Sequence, residues 1–385
     1  MTKKKDYAKL SIAAHKKHRG KLSIESTFSI RNRDELSIAY TPGVAAASME
    51  IARDVRKARE LTTAKNTVAI VSDGSAVLGL GDIGPVAALP VMEGKAALLK
   101  KFANINGFPI VLSERSVDGI VAAVKAIAPT FGAINLEDIA APRCFEIEER
   151  LSKELDIPVM HDDQHGTAVV VLAGLINALK VARKKPEQVR VVISGAGAAG
   201  IATAKLLLAF GVRTILLVDR AGIIGTARTD VSGMKRTIAS LTNPKNESGT
   251  LADALVGADV FIGVSAPGIL KADMIPSMAP QPIIFALANP TPEIMPDVAK
   301  KAGAFIVATG RSDFPNQINN SLAFPGIYKG LIEGNIVRVS DAMKIAAAKA
   351  IASMVKKPTA EKIVPGPFDV GIAATVGKAV RRASL

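Results

Sequence analysis

The 385-residue sequence predicts an α/β protein built on parallel sheets, one of them a Rossmann-like doubly wound sheet. Between Val68 and Val307, short apolar runs alternate with alanine-rich stretches of helical period, a pattern typical of parallel strands joined by helices. A glycine-rich turn at Gly195–Gly200 follows one such run and opens one such stretch, as in the first strand–helix turn of a Rossmann fold.

The individual elements follow from the same signals. Eight apolar runs predict strands at Val68–Val71, Pro109–Leu112, Ile157–Met160, Val189–Ile193, Thr214–Val218, Val260–Ile262, Ile283–Ala286 and Ala304–Val307. Helical periods cover Val117–Ala128, Thr167–Ala182 and Ala198–Phe210. The last 60 residues show helical signals only, with helices predicted at Ser340–Val355 and Val370–Val380. Ser340 is the predicted N-cap of the first, and a Pro-Gly-Pro sequence separates the two.

Length and composition set the broad class. A chain of 385 residues predicts about two or three domains, and 49% hydrophobic with 22% charged residues excludes wholesale disorder. Cys144 is the single cysteine, which excludes a disulfide framework and favours a reducing, cytoplasmic setting. The basic start Met1–Lys5 precedes no apolar segment, and no apolar run reaches the ~18 residues of a membrane span. We therefore expect neither a secretory signal nor a membrane partner.

The net charge of +14 is concentrated at the two ends. Residues 1–21 carry eight Lys or Arg and one Asp, and residues 341–385 carry eight Lys or Arg and three acids. Basic arms can bind nucleic acid or a membrane surface, but Tyr7 alone among the N-terminal lysines is not a platform on which bases can stack. We interpret both ends as solvated helix ends and tails, and predict no nucleic-acid partner.

Two GxGxxG patterns occur, and only the second has the context of a dinucleotide site. There, the apolar run Val189–Ile193 leads into a tight turn at Gly195, Gly197 leaves room for a pyrophosphate, and Gly200 lets the next helix pack closely on the sheet. In the first pattern, Gly79–Gly84, a proline follows the last glycine and no acid-ended strand comes at the required distance. We interpret that pattern as a glycine-rich loop that shapes another pocket.

Cofactor choice depends on the end of the next strand. Asp219 lies 19 residues after Gly200, where a carboxylate can accept both ribose hydroxyls of NAD. Asp219 would repel the 2′-phosphate of NADP, whereas Arg220 would attract it. We predict NAD, with NADP as the alternative. The predicted dinucleotide-binding residues of this turn and strand end are Gly195, Gly197, Ala198, Ala199, Gly200, Asp219 and Arg220.

Two polar strings follow apolar, buried runs and therefore lie at the carboxyl ends of predicted strands. They are Asn135-Leu-Glu-Asp138 and His161-Asp-Asp-Gln-His165. Oxygen-rich ligand sets suit Mg²⁺ or Mn²⁺ rather than zinc. Neighbouring residues of a straight strand point to opposite faces, so Glu137 and Asp138 can bind one ion only if the chain bends there. No third histidine or cysteine lies near the two histidines, which we interpret as supporting or capping groups.

Seven strings occur in a fixed order along the chain. They are Ala39-Tyr-Thr-Pro-Gly-Val, Ser72-Asp-Gly with Gly79-Leu-Gly-Asp-Ile-Gly, Glu93-Gly-Lys, Asn135-Leu-Glu-Asp, His161-Asp-Asp-Gln-His-Gly-Thr, Ala288-Asn-Pro and Asn319-Asn-Ser-Leu-Ala-Phe-Pro-Gly. Together they resemble malic enzyme, in particular its short prokaryotic NAD(P)-dependent branch, over about residues 20–335. The resemblance implies oxidative decarboxylation of (S)-malate to pyruvate and CO₂, with reduction of NAD or NADP and dependence on Mg²⁺ or Mn²⁺.

The resemblance also implies roles for single residues. Three carboxylates match the family's metal ligands: Glu137, Asp138 and Asp163. Three residues match its proton-transfer groups: Tyr40 as general acid, Lys95 as general base and Asp162 as a second catalytic carboxylate. Two asparagines match those that hold malate and the nicotinamide end of the cofactor: Asn289 and Asn320. To accept a proton near pH 7, the lysine must have its pKa lowered by burial or a nearby cation.

The chain departs from longer malic enzymes at one point. They carry an arginine directly after the Asp-Gly, where it grips a malate carboxylate, whereas this chain reads Asp73-Gly-Ser-Ala76. The short branch also lacks this arginine. Arg311 is a candidate partner for the C4 carboxylate because of its position before Asn320.

We predict two domains, and the resemblance to malic enzyme implies a homodimer or dimer of dimers. Residues 1–163 form the catalytic α/β domain, which resembles the malic enzyme N-terminal domain and binds malate and metal, with the helical segment 321–385 packed on it. Residues 164–320 form the NAD(P)-binding domain.

Three alternative functions are a malolactic enzyme that releases lactate, an oxaloacetate decarboxylase that needs no dinucleotide, and a nucleic-acid-binding protein that uses its basic termini.

Overall fold

Two sheets of mainly parallel strands form the framework of the chain, whose residues 6–385 are described by the computed structural model. The strands are β1 (Thr67–Ser72), β2 (Asn106–Val111), β3 (Ala133–Leu136), β4 (Val159–His161), β5 (Arg190–Ser194), β6 (Thr214–Asp219), β7 (Gly222–Ile223), β8 (Val260–Gly263), β9 (Ile283–Ala286) and β10 (Ile306–Thr309). One sheet has the order β2-β1-β3-β4 and the other β10-β9-β8-β5-β6-β7. All pairs are parallel except β6 with β7. The predicted α/β class is confirmed.

The α-helices connect and cover these sheets. They are α1 (Tyr7–His18), α2 (Arg33–Ala39), α3 (Val44–Arg53), α4 (Ala58–Leu61), α5 (Pro85–Ala103), α6 (Val117–Ile127), α7 (Arg143–Glu154), α8 (Asp162–Val181), α9 (Ala198–Phe210), α10 (Gly233–Thr242), α11 (Leu251–Leu255), α12 (Pro296–Lys301), α13 (Phe324–Glu333), α14 (Asp341–Ser353) and α15 (Ile372–Arg382). Short 3₁₀ turns lie between some of them.

All eight predicted strands coincide with or overlap observed ones, and the helix predictions hold to within a few residues at most ends. Ser340 caps α14, its side chain accepting a hydrogen bond from the Met343 N–H. The apolar runs of the sequence did not predict β3 or the two-residue strand β7. In β3, the polar Asn135 interrupts the apolar pattern, and its side chain is buried because other polar groups of the fold satisfy it.

Helix α8 is the central element of the largest core. It packs against α9 on one side and α14 on another, and its 20 residues are apolar enough to span a membrane by composition. However, 72% of its most apolar window is buried inside the fold, as expected for the core helix of a globular protein. In the C-terminal segment, α13 and α15 pack on each other and on α5, whereas α14 lies against α8 and α9. The division into two domains stays a prediction.

The N-terminal arm, residues 6–63, differs from the rest because none of its residues is buried. It carries α1 to α4 and attaches to α5, where the backbone N–H of Lys21 donates to Glu93 Oε2 at 3.0 Å. Many of its apolar side chains are exposed, among them Ile24, Phe28 and Ile38. The Lys3–Lys5 part of the basic N-terminus lies outside the described residues.

Candidate active site

The acidic centre forms because β3 and β4 are neighbours in register. Leu136 at the end of β3 pairs with His161 at the end of β4, so the carboxylates that follow each strand meet at one edge of the sheet. The backbone at Asp138 is left-handed, with φ = +53°. This is the bend that the sequence requires if Glu137 and Asp138 are to face a common point.

Glu137, Asp138 and Asp163 each bring a carboxylate oxygen to within 4.8 Å of the others. Asp138 Oδ2 is buried and accepts no hydrogen bond from any of residues 6–385. Burial and the neighbouring Asp163 raise the pKa of Asp138 to about 7, and burial also raises the pKa of Glu137. A buried, unpaired oxygen in an all-carboxylate set fits a hard divalent cation such as Mg²⁺ or Mn²⁺. The residues present therefore fit the metal that the sequence predicts.

Lys95 reaches this centre from α5 and is 8% exposed. Its Nζ lies 2.7 Å from Glu137 Oε1 and 2.5 Å from Asp162 Oδ2, and 4.5 Å from the centre of the Phe324 ring. Burial opposes the charge on Lys95, but Asp162, Glu137 and Asp163 outweigh burial and hold the pKa of this lysine above its usual range. Without a cation in the centre, the lysine is therefore charged, opposite to the lowered pKa expected from the sequence.

Asp162 joins Lys95 to the predicted substrate residue Asn320. Its Oδ2 accepts from Lys95 and also from the Asn320 side-chain amide at 2.7 Å. A glycine follows one helical turn later, and a Cβ at Gly166 would lie 1.8 Å from Asp162 Oδ1. The motif therefore needs glycine at this position to make room for the carboxylate.

A partly buried glutamate that sequence reasoning missed holds the two histidines of the motif. Glu148 on α7 lies 2.9 Å from His165 Nε2 and accepts from the His161 backbone N–H at 2.8 Å. Burial alone would raise its pKa, but His165 and His161 lower the pKa of Glu148 to about 2. His161 Nε2 in turn lies 3.2 Å from Asp163 Oδ2. The histidines thus connect Glu148 with the acidic centre. No local sequence signal around Glu148 predicts this arrangement.

Tyr328 is a second group that the sequence did not reveal. Its fully buried hydroxyl donates to Asn135 Oδ1 at 3.0 Å, and the Asn135 amide donates to Glu137 Oε2 at 2.9 Å. Tyr328 lies on α13, about 190 residues from its partner. The C-terminal segment therefore orients one of the predicted metal ligands.

Tyr40, the predicted general acid, does not join this cluster. It ends α2 on the N-terminal arm and is 67% exposed. The groups found against the Lys95 ammonium are Glu137, Asp162 and Phe324. The structure thus brings Lys95, Asp162 and Asn320 together but leaves Tyr40 outside.

The second glycine pattern has the geometry of a pyrophosphate site. Gly195 has φ = +114°, and a Cβ there would lie 2.6 Å from the Val264 carbonyl oxygen. Helix α9 begins with Ala198 and Ala199. No side chain of residues 6–385 caps it, so its first N–H groups are available to an anion. A Cβ added at Gly197 would meet no heavy atom of the described residues within 4 Å, apart from its chain neighbours, and Gly200 packs against Gly195. The residues present fit a dinucleotide.

Asn289 follows β9 and lies where the two sheets' loops meet. A Cβ at Gly79 would lie 2.4 Å from the Asn289 carbonyl oxygen, so the first glycine pattern forms a loop against this residue. Glu293 is fully buried nearby and accepts the backbone N–H groups of Ser265 and Ala288, each at 3.0 Å. It therefore ties together the loops after β8 and β9.

Arg311, the candidate partner for the C4 carboxylate of malate, already binds two groups of its own chain. Its guanidinium pairs with Asp313 at 2.6 Å and donates to the Pro290 carbonyl at 2.7 Å. Its role as a substrate partner stays a prediction.

A Rossmann-type sheet beside an all-carboxylate centre with a buried lysine defines the class: a dinucleotide-dependent oxidoreductase that uses a divalent metal. Two family models match the chain, malic enzyme N-terminal domain over residues 19–152 and malic enzyme NAD-binding domain over residues 164–383. The chain belongs to the malic enzyme family.

Individual relatives agree with this assignment. The chain is 54% identical to a bifunctional malic/malolactic enzyme of Bacillus subtilis (strain 168), covering 97% of this chain and 92% of that protein. It is 56% identical to an NAD-dependent malic enzyme of Geobacillus stearothermophilus, over 95% of this chain and 77% of the other. A crystal structure of the NAD-dependent malic enzyme from Thermotoga maritima superposes with a TM-score of 0.93 at 51% identity, covering 96% of this chain and 98% of that one.

Proposed function

We propose that the chain catalyses the metal-dependent oxidative decarboxylation of (S)-malate to pyruvate and CO₂, with reduction of NAD or NADP. The observation that carries the proposal is the convergence of Lys95, Asp162 and Asn320 on the carboxylate set, in a chain that also has the uncapped N-terminus of α9 after its second glycine pattern. When bound, a divalent cation acidifies the malate C2 hydroxyl and stabilises an enolate oxygen, and the nicotinamide accepts a hydride.

The residues of the chain hold and move the protons. Lys95 Nζ accepts the proton of the C2 hydroxyl, because it is the basic nitrogen at the centre. Asp162 Oδ2, 2.5 Å from Nζ, is placed to take a proton from the lysine beforehand. Asn320 fixes that carboxylate and, with Asn289, orients the substrate. Glu137, Asp138 and Asp163 hold the cation.

A single assay tests the activity. Absorbance of NAD(P)H is followed with malate, Mn²⁺ and either NAD or NADP, and the product is identified as pyruvate or lactate. We expect net reduced cofactor and pyruvate. Lactate without net NADH would instead indicate the malolactic alternative, and no turnover with either cofactor would refute the assignment.

Lys95→Ala tests the general base. The variant should lose malate oxidation by at least about 10²-fold, the usual contribution of general acid–base catalysis, while still binding NADH. Lys100→Ala, a lysine on the same helix that bonds Asn106 instead, serves as the control. Undiminished turnover in Lys95→Ala would contradict the role.

We also propose that the chain is a cytoplasmic homodimer or higher homo-oligomer, with the N-terminal arm covered by a second copy. The arm has no buried residue and exposes Phe28, Ile30 and Leu36 among other apolar side chains. Tyr40 lies on this arm, and within residues 6–385 it is not among the groups found against the Lys95 ammonium of its own chain. In this proposal, Tyr40 protonates C3 of enolpyruvate in the active site of the partner.

Complementation separates this arrangement from action within one chain. Tyr40→Phe and Lys95→Ala chains, each inactive alone, are unfolded together and refolded as a mixture. If Tyr40 acts across the interface, half of the mixed dimers' sites are intact, so roughly a quarter of wild-type activity should return. No recovery in verified mixed dimers would place Tyr40 and Lys95 in the same chain's site.

A further inference from the structure

A cleft of about 300 Å³ lies between α7, α9 and α14, and the proposed reaction assigns it no task. Its volume is at the lower end of the range found for small-molecule sites. Glu148 on α7 and His165 on α8, which contact each other at 2.9 Å, line one part of it. Much of the remaining wall is apolar: Phe145, Val159, Leu206, Val337 and Val339. The cleft can therefore take a small molecule with an apolar part.

Lys344 is the most buried of the lysine and arginine residues that line this cleft. It lies on α14, is 9% exposed, and its ammonium has one partner within residues 6–385, Asp341 Oδ1 at 3.1 Å. The Asp341 side chain is itself 60% exposed. An ammonium group has three N–H donors, so two of those on Lys344 are left for another acceptor. A charged group at this depth is costly without further partners, which indicates a place for an anion.

Two further cations line the cleft and form no ion pair with a carboxylate of residues 6–385. Lys205 on α9 has its Nζ 3.1 Å from the Met234 sulfur. Arg338, in the segment between α13 and α14, donates to backbone carbonyl groups, the shortest of these bonds being 2.7 Å to Leu155. A neutral sulfur and neutral carbonyl groups leave the positive charges of both side chains without a counter-charge. An anion that enters the cleft supplies one.

The carboxylates that line the cleft already have partners. Glu148 is held by His165, Glu149 lies 2.6 Å from Lys153, and Asp341 is the partner of the buried lysine. Counting lysine, arginine and carboxylate side chains of the lining together with Lys153, four cations meet three carboxylates and leave one net positive charge. One positive charge beside an apolar wall complements a small monocarboxylate better than a phosphate ester, which carries up to about two negative charges.

Glu148 connects the cleft with the acidic centre. It accepts from the His161 backbone N–H at 2.8 Å, and His161 Nε2 lies 3.2 Å from Asp163 Oδ2. Two contacts therefore separate a residue that lines the cleft from a predicted metal ligand. Packed groups in direct contact transmit a displacement from one to the next.

We propose that the cleft is an effector site for a small monocarboxylate with an apolar body. The carboxylate binds the Lys344 ammonium, and the apolar body lies against the apolar wall. Binding displaces Glu148 and, through His161, the Asp163 carboxylate, so the occupant changes the affinity of the acidic centre for a divalent cation. By thermodynamic linkage, the cation changes the affinity for the occupant by the same factor.

Hexanoate is the probe, because it joins one carboxylate to an apolar chain. Calorimetry on the metal-free protein should show saturable binding of one hexanoate per chain, with a Kd of about 1 mM or tighter. Hexanamide has the same shape without the charge, and inorganic phosphate has charge without the apolar chain. Both should bind at least about tenfold more weakly than hexanoate. No saturable binding of hexanoate, or equally tight binding of phosphate, would overturn the proposal.

Lys344→Met tests the place of binding. Methionine keeps most of the buried stem and removes the charge, so hexanoate should bind about tenfold more weakly. Lys349→Met, which changes an exposed lysine of the same helix outside the cleft, should leave the Kd unchanged. If Lys344→Met does not fold, Lys205→Met at an exposed position replaces it, with an expected loss of about threefold. Wild-type affinity in the folded variant would place hexanoate elsewhere and overturn the proposal.

Titrations with Mn²⁺ test the effect on the acidic centre. In the wild type, the Kd for Mn²⁺ should change by about fivefold or more between hexanoate-free and hexanoate-saturated protein. In Lys344→Met, at a hexanoate concentration that saturates the wild type alone, this change should disappear. An unchanged Mn²⁺ affinity in the wild type would overturn the effector role. The same change in Lys344→Met would show that hexanoate acts at the metal itself, which would overturn it as well.

Discussion

Replacing Gly166 by alanine should disable the site without touching a reacting group. A Cβ at Gly166 would lie 1.8 Å from Asp162 Oδ1, whereas side-chain carbons do not approach other heavy atoms closer than 3.0 Å. The carboxylate must therefore move by roughly 1 Å, which breaks its 2.5 Å contact with Lys95 and its 2.7 Å bond from Asn320. A displacement of this size costs about 10²-fold in rate.

The same change has a calculable effect on stability. Alanine is favoured over glycine inside a helix by about 1 kcal/mol, but overpacking a filled site costs about 1–3 kcal/mol. Displacing a charge-assisted hydrogen bond adds about 1.5–3 kcal/mol. We therefore expect Gly166→Ala to lower the free energy of unfolding by a few kcal/mol, measured by urea denaturation of the metal-free protein.

A double-mutant cycle shows whether the effect runs through Asp162. In an Asp162→Ala background, the carboxylate is absent, and of the three atoms nearest the Gly166 Cβ position only Asn320 Cβ, at 3.3 Å, remains. There, Gly166→Ala should be neutral or stabilise by up to about 1 kcal/mol. Wild-type turnover in Gly166→Ala would refute the reasoning, as would the same destabilisation in both backgrounds.

Three further predictions concern the acidic centre. Because Asp138 has a raised pKa of about 7, it is protonated below that pH and must lose its proton to bind metal. Mn²⁺ affinity, measured by calorimetry, should therefore fall by up to about tenfold for each pH unit below 7, and a flat profile would contradict this. Asp163→Ala should abolish rescue of the metal-stripped protein by added Mn²⁺, and full rescue would exclude it as a ligand. Tyr328→Phe, which removes the donor to Asn135, should weaken Mn²⁺ binding by about 10-fold; unchanged affinity would mean that Glu137 is held without it.

Parts of the site could be predicted from sequence because their signals are local. About 30 residues contain the Gly195–Gly200 turn, the apolar run before it and the acid after the next strand. The seven ordered strings indicate the family. The bend at Asp138 was also predictable, because two adjacent strand residues cannot face one ion otherwise.

Other parts depend on contacts between distant segments. Glu148 looks like any glutamate on an amphipathic helix until the fold places it against His161 and His165. Tyr328 orients Asn135 across 193 residues of chain. The expected lowering of the Lys95 pKa was wrong for the metal-free protein, because three carboxylates surround its ammonium and outweigh burial.

The sequence by itself determined the α/β class and the family, and it predicted the acidic metal ligands and the dinucleotide turn, since each depends on short-range spacing and residue chemistry. Only the tertiary structure decided which of those groups meet. It joined Lys95 to Asp162 and Asn320, left Tyr40 on an exposed arm, and paired Asp219 with two cations. Electrostatic interactions depend on distance in space, and distance between remote residues is fixed by packing rather than by their separation along the chain.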